Sequence, residues 1–276
     1  MGKLIQRPPP PPHRGLAPAL PALLAGAMEW QDEGLVLSLR PHGEHGAIID
    51  VLTARHGRHL GVVRGGMSRR MQPHLQPGTS LALTWSARLS DHLGTFKAEP
   101  LRARSALLGD RLGLAGLGAI TAMLHVCLPE REPQDRLYLT TLALVDAIEA
   151  ATPAWVAGYV HWELGLLDII GSALDLTSCA VTGGDQDLAF VSPRSGRAVA
   201  RAAAGDWADR LLPLPGFLIG TAPSTAAAIV QGLTLTGHFL TRGLEPLRED
   251  KPLPEARRRL IARLASSEAP DKRADT

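Results

Sequence analysis

The chain has 276 residues, 45% of them hydrophobic, enough for a sizeable core in one large domain or two smaller ones. Its formal net charge of +2 argues neither for nor against a polyanionic partner. Two cysteines, Cys127 and Cys179, exclude a disulfide framework and fit a reducing, cytoplasmic compartment, and no apolar run reaches the roughly 18–20 residues that a bilayer span needs.

Residues 1–27 read as a disordered, proline-rich extension. Pro8 to Pro12 favour polyproline II, and Pro18 and Pro21 interrupt an apolar run that otherwise imitates an export signal. Met28 is the expected start of the folded protein. From Glu33 the pattern has period two, with Leu35, Leu37 and Leu39 on one face and Val36, Ser38 and Arg40 on the other. Pro41 to Glu44 marks a turn, Ala47 to Thr53 a second strand, and His59 to Arg64 a third. Leu81, Leu83 and Trp85 alternate in a fourth, and Thr95 to Glu99 forms a fifth. Five short strands, with the longest connection between the third and fourth, predict an OB-type β-barrel over residues 28–104.

Beyond Ser105 the period becomes helical, which makes the chain α+β. Leu137, Thr141, Leu144, Val145 and Ile148 share one helical face. Thr152-Pro153 predicts a cap and first turn for a helix carrying Trp155, Tyr159, Trp162, Leu166 and Ile170, which Gly171 ends. Ser224 is the expected cap of a helix through Ile229, Leu233 and Leu240, with Gly243 past its end. A last basic helix spans Leu253 to Leu264. The helical domain is thus 105–265, with an irregular insertion at about 175–215 and a flexible tail at 266–276.

Charge is unevenly distributed. Residues 50–104 hold nine Lys/Arg against three acids, a balance of +6, and residues 105–276 hold 16 against 20, a balance of −4. Within the basic segment, residues 55–70 contain five arginines and no acid. The candidate nucleic-acid residues are therefore Arg55, Arg58, Arg64, Arg69 and Arg70, with Arg88 and Lys97 from the later strands. Gly65-Gly66 would let the backbone approach a phosphate. Aromatic residues are scarce in this half, and Trp85 and Phe96 are read as core, so the grip should rest on phosphates rather than base stacking. The same loop would serve an RNA-binding OB protein, because phosphate contact does not choose between DNA and RNA.

The common catalytic and nucleotide motifs are absent, and Gly113 to Gly118 has its glycines in the wrong order for a dinucleotide turn. His42/His45 and His56/His59 have a metal-compatible spacing, the basis for a third reading as a metal-dependent hydrolase. No cysteine or carboxylate cluster adjoins them, and they read as polar turn residues. Cys179 lacks the second thiolate that a zinc knuckle needs. No catalytic residue, metal or cofactor is expected. Arg257 to Arg259 and Arg263 form a basic face that suits an auxiliary nucleic-acid contact.

Several stretches together resemble the RecO family of bacterial recombination mediators. They are Glu29-Trp-Gln-Asp-Glu-Gly34, Pro41-His-Gly-Glu44, His56-Gly-Arg-His59, Val63-Arg-Gly-Gly66, Gly165-Leu-Leu-Asp168, Cys179-Ala-Val-Thr-Gly183, Val191 to Arg197 and Leu211 to Pro215. The resemblance implies an OB domain and a helical domain with a zinc-finger-like insertion, here lacking all but one of the zinc cysteines. It implies a non-enzymatic, nucleoid-associated protein that binds single- and double-stranded DNA, anneals complementary strands and helps RecA load onto DNA coated by single-strand-binding protein. RecR and the acidic C-terminal tail of single-strand-binding protein are the implied partners. Arg131 and Arg136, beside Leu128 and Leu137, are the candidate tail-binding pair.

Overall fold

The computed structural model describes residues 28–89, 91–248 and 252–267; the proline-rich segment and nearly all of the expected tail lie outside them. Strands β1 (Met28–His42), β2 (Gly46–Thr53), β3 (Gly57–Val63), β4 (Ser80–Ala87) and β5 (Thr95–Arg102) close into a barrel in the order β1-β2-β3-β5-β4. β1 serves two neighbours. Its first half pairs with β4, Trp30 opposite Trp85, and its second with β2, Leu39 opposite Ile49. It begins before the expected Glu33 because Glu29, Gln31 and Glu33 are the outward half of an alternation whose inward member is Trp30. A short parallel pairing of Val63 with Phe96 completes the ring.

Val36, Ile49, Val51, Val63, Leu81, Leu83, Trp85 and Phe96 fill the barrel. The outside of β1 and β2 is not solvated either: Leu35, Leu37 and Leu52 belong to a second core made with the helices. β2 is therefore buried on both faces, which explains an apolar, β-branched run broken only by Asp50. Each of these leucines contributes about 1.5–3 kcal/mol by burial, so barrel and helices are joined by a hydrophobic seam.

The helices are α1 (Arg111–Cys127), α2 (Asp135–Glu149), α3 (Trp155–Ile169), the single turn α4 (Arg201–Ala204), α5 (Ala226–Arg248) and α6 (Glu255–Ser267). Thr152 does not cap α3; its hydroxyl donates to the Ala147 carbonyl and closes α2 instead. The α5 cap is Thr225 rather than Ser224, with Thr225 Oγ1 accepting from the Ala228 amide. Gly243 lies inside α5, where a side chain would collide with Ser172 and Ile170. There glycine permits close approach and does not end the helix. The stretch 175–215 contains a small antiparallel sheet, β6 (Leu188–Val191), β7 (Ala198–Ala200) and β8 (Leu212–Pro213), in the order β7-β6-β8.

Buried charge fixes how these parts meet. Arg58 and Asp50, 8% and 2% exposed, pair at 2.9 Å on the outer face of β2 and β3. Arg58 also donates to the Leu128 carbonyl at the end of α1, and His125 Nδ1 lies 2.9 Å from Asp50. Below this cluster the α1–α2 connection runs along β3, where the Arg131 amide donates to the Arg58 carbonyl at 2.7 Å. Gly57, with φ +65°, lies so close to the Glu132 carbonyl that a side chain has no space. At the other end of the junction Arg104 holds Asp146 of α2 at 2.8 Å and the Gly78 carbonyl, while Arg102 pairs with Asp146 and Glu149.

The C-terminal helix is held in the same manner. Arg257 donates to both oxygens of the fully buried Glu163 on α3, at 2.6 and 2.8 Å, and to the Leu233 carbonyl of α5. Thr236 donates to the same carboxylate at 2.5 Å. This corrects the expected basic face of α6, from which Arg257 is removed.

Removing one partner of a buried ion pair strands the other. Asp50→Ala should therefore destabilise the fold by about 3–5 kcal/mol. Equilibrium urea unfolding measures this; a wild-type midpoint would show that the pair does not hold the junction.

Candidate nucleic-acid interface

The five arginines of residues 55–70 have three different surroundings. Arg58 is spent at the junction, which corrects its assignment as a nucleic-acid contact: a guanidinium already bonded to Asp50 and the Leu128 carbonyl inside the protein offers nothing to a phosphate. Arg55 lies at the surface but bonds Asp32 at 3.4 Å and donates to the Gln31 carbonyl at 2.6 Å. Burial pushes the Asp32 carboxyl up, yet hydrogen bonds from the Arg55 and Glu33 amides and from His56 outweigh it and hold the group below its ordinary value. Arg64, Arg69 and Arg70 are exposed and have no ion-pair partner among the described residues.

Arg55 and Lys97 share a groove of about 630 Å³ over β1, β4 and β5, lined also by Asp32, Glu33, Glu99 and Tyr138. Three carboxylates against two cations make it unsuited to a phosphate. Tyr138 senses this field: burial and the Glu33 and Asp32 charges push its hydroxyl up to about 12.

Arg64, Arg69 and Arg70 stand on an ordered loop after β3. Successive turns shape it, with amide-to-carbonyl bonds from Gly66 to Val63, Ser68 to Gly65 and Met71 to Ser68 at 2.9–3.1 Å. Met67 and Met71 pack against the barrel core beneath. Gly65 supplies a positive φ of +66°, and Gly66 is needed because a side chain would strike Ala47. Both glycines thus serve the loop's own geometry, the second by internal packing.

Two neighbouring loops extend this rim. The Met67 amide donates to the His45 carbonyl of the β1–β2 turn, and the Val62 amide donates to the Gly94 carbonyl of the β4–β5 loop. The latter loop begins with exposed Arg88. Arg40 joins the rim by register, since it stands opposite Ile48, which in turn stands opposite Val62. The expected alternation grouped Arg40 with Val36, which faces the barrel interior. A bulge between Val36 and Ser38 turns Leu39 inward, away from Leu35 and Leu37, and Arg40 outward, and a charge count beginning at residue 50 passed over it. The rim therefore carries Arg40, Arg64, Arg69, Arg70 and Arg88 against Glu44 and Asp91.

Aromatic groups stay off the rim. Trp85 and Phe96 are 2% and 3% exposed, and Trp30 stacks on His56 at 4.0 Å and on Trp85 at 5.7 Å. His59 sits edge-on to Trp85 and Trp30 inside the barrel mouth. His42 and His45 are exposed turn residues, and among the described residues no three His, Cys, Asp or Glu side chains come together as a metal site.

The second candidate pair is separated. Arg136 lines a groove of about 790 Å³ between α2 and α3, with Leu137, Leu144, Trp155, Trp162 and Ile169. Arg131 is turned the other way, with φ +67° and its guanidinium donating to the His92 carbonyl of the barrel. In the insertion, Cys179 is 1% exposed and its Sγ accepts from the amides of Ala200 (3.2 Å) and Val181 (3.4 Å). These bonds, with Thr182, hold the thiol down to about 6.

Comparison with known proteins agrees over both halves. Residues 28–104 match the model of the recombination protein O N-terminal domain, and residues 108–251 that of the recombination protein O C-terminal domain. The chain is 61% identical over 238 residues to a DNA repair protein RecO of Cereibacter sphaeroides, covering 86% of this chain and 99% of the relative. The RecO proteins of Ruegeria sp. and Roseobacter denitrificans are 52% and 54% identical over 239 and 235 residues, covering 86% and 85% of this chain and 99% and 97% of theirs.

The buried histidine gives a pH signature. Desolvation lowers His59 from 6.5 to about 4. The folded state keeps the ring neutral while the unfolded chain takes up a proton. Stability is therefore full above pH 6.5 and declines as pH falls towards 4, by roughly 2–3 kcal/mol. His59→Phe should remove this part of the pH dependence in thermal unfolding between those limits; an unaltered profile would contradict it.

Proposed function

Because the chain belongs to the RecO family, whose members above are named as DNA repair proteins, we propose that it acts in DNA repair by gripping DNA backbones at the arginine rim. The observation that carries this reading is the exposed trio Arg64, Arg69 and Arg70, free of acidic partners among the described residues and presented on a loop with defined turns. Arginine forks match phosphate oxygens bidentately, and a turned loop holds them without a large ordering cost.

In this reading the barrel is an OB domain, as its strand order supports, and the β6–β8 sheet is the counterpart of a zinc finger. Here hydrogen bonds to the Cys179 sulfur and local packing occupy the place of a metal. The rim touches phosphates only, so the protein accepts single or double strands of any sequence. It anneals complementary strands by lowering their mutual repulsion, and base pairing supplies the specificity. It assists RecA loading onto DNA coated by single-strand-binding protein, with RecR as co-partner, and has no catalytic step.

The α2–α3 groove suits the acidic tail of single-strand-binding protein. Leu137, Trp155 and Trp162 offer an apolar floor, and Arg136 at its edge meets a carboxylate. Arg131 plays no part in this version of the site, since its guanidinium is engaged with the barrel.

Two measurements test these assignments. Replacing Arg64, Arg69 and Arg70 together by alanine should lower the slope of log K against log salt for single-stranded DNA by about 2, with the fold intact. An unchanged slope would move the site elsewhere, and a strong preference for RNA over DNA of equal length would favour an RNA partner. Arg136→Glu should weaken binding of the tail peptide about tenfold in fluorescence anisotropy, the loss of one charge-assisted contact. Wild-type affinity would exclude this groove.

A further inference from the structure

Helix α6 carries four arginines, and the inward turn of Arg257 onto Glu163 fixes the rotation of the helix. Arg259 and Arg263, one turn apart on the same face, are thereby brought to Arg111 in the first turn of α1. The three arginines line an open pocket of about 510 Å³ whose other walls are Leu112, Ala262 and Ser266. Among the described residues no carboxylate lines it. Glu255 reaches Arg259 only at 3.8 Å and is bonded more closely to Arg258. Asp110, next in sequence to Arg111, has its carboxylate accepting from the Leu112 amide as the cap of α1. Arg111 and Arg263 have no ion-pair partner among the described residues.

Packing thus gathers three like charges whose one counter-charge among the described residues, Glu255, is shared with Arg258. Such an arrangement is relieved by an anion with several oxygens, and arginine selects phosphate geometry in particular. The pocket is also remote from the Asp50–Arg58 end of the barrel junction. Arg111 begins α1 and His125 near its end touches Asp50, so roughly 20 Å of helix separates them at 1.5 Å per residue.

We propose that the Arg111–Arg259–Arg263 pocket holds the phosphate backbone of a second nucleic-acid strand, separate from the strand at the barrel rim. This rests on the nucleic-acid reading of the rim and extends it: one rim holds one backbone, whereas pairing two strands calls for a place for each.

The test uses the full chain, saturated with one unlabelled single strand and then offered a labelled strand that is not complementary to it. Wild-type protein should capture the second strand. Arg259→Ala with Arg263→Ala should bind the first strand within about twofold of wild type, both residues being exposed. It should capture the second about tenfold more weakly. Saturation of the wild type at one strand, or equal second-strand capture by the variant, would overturn the pocket while leaving the rim intact. Failure of the wild type to bind any strand would overturn the rim and the pocket together. Inorganic phosphate raising the melting temperature of the wild type but not of the variant, with second-strand capture unchanged, would assign the pocket to the free ion and overturn the proposal.

Discussion

The buried pair of Asp50 and Arg58 is the constraint from which the arrangement of this molecule follows. It lies on the outside of a barrel strand, where a small isolated barrel would be solvated, and it is dry because helix α1 covers it. A charge in such a place needs its partner, and the partner here comes with a carbonyl from α1 and a histidine from the same helix. The geometry allows one orientation of helix against barrel. Leu35, Leu37 and Leu52 supply most of the attraction across the seam, but apolar contact tolerates sliding, whereas an ion pair with fixed hydrogen bonds does not.

That rigid joint determines which cations remain available. Arg58, Arg102 and Arg104 hold the helices, and Arg55 holds Asp32. The arginines left over collect on one rim, where the loop after β3 is bonded to the β1–β2 turn and the β4–β5 loop to β3 itself. Because Trp30, Trp85 and Phe96 close the barrel from within, the rim presents guanidinium groups and backbone in place of aromatic faces, the chemistry on which the proposed phosphate grip rests. The same division recurs on α6, where Arg257 turns inward and its neighbours stay outside.

Much of this was legible in the sequence, for identifiable reasons. Period-two alternation located β1 and β4, a β-branched run located β2, short runs between turn signals located β3 and β5, and a regular apolar face located α2 and α3. The long helix α1 left no comparable signal, because Gly113, Gly116 and Gly118 dilute its pattern; Gly116 is small so that the Trp155 ring can lie against it. Gly243 resembled a terminator for the same reason, since a glycine required for close packing and one required for a turn look alike in one dimension. Charge was the least legible quantity. A tally of nine cations over residues 50–104 cannot distinguish an arginine facing solvent from one facing a carboxylate 42 residues away, as Arg104 faces Asp146, and Asp50 gave no sign of its partner His125, 75 residues on. Arg40 was missed because the tally began at residue 50, and strict alternation would have turned it inward with Val36, since a one-residue bulge between Val36 and Ser38 leaves no mark in the pattern.

Hydrogen–deuterium exchange of the full chain, with and without a single-stranded oligonucleotide, tests most directly whether the uncommitted arginines form the grip. Protection should appear in the 64–71 loop, the 42–46 turn and the start of the β4–β5 loop, with none at residues 31–33 or 97–99. Protection centred on that acid-lined groove, with the 64–71 loop unchanged, would contradict the account.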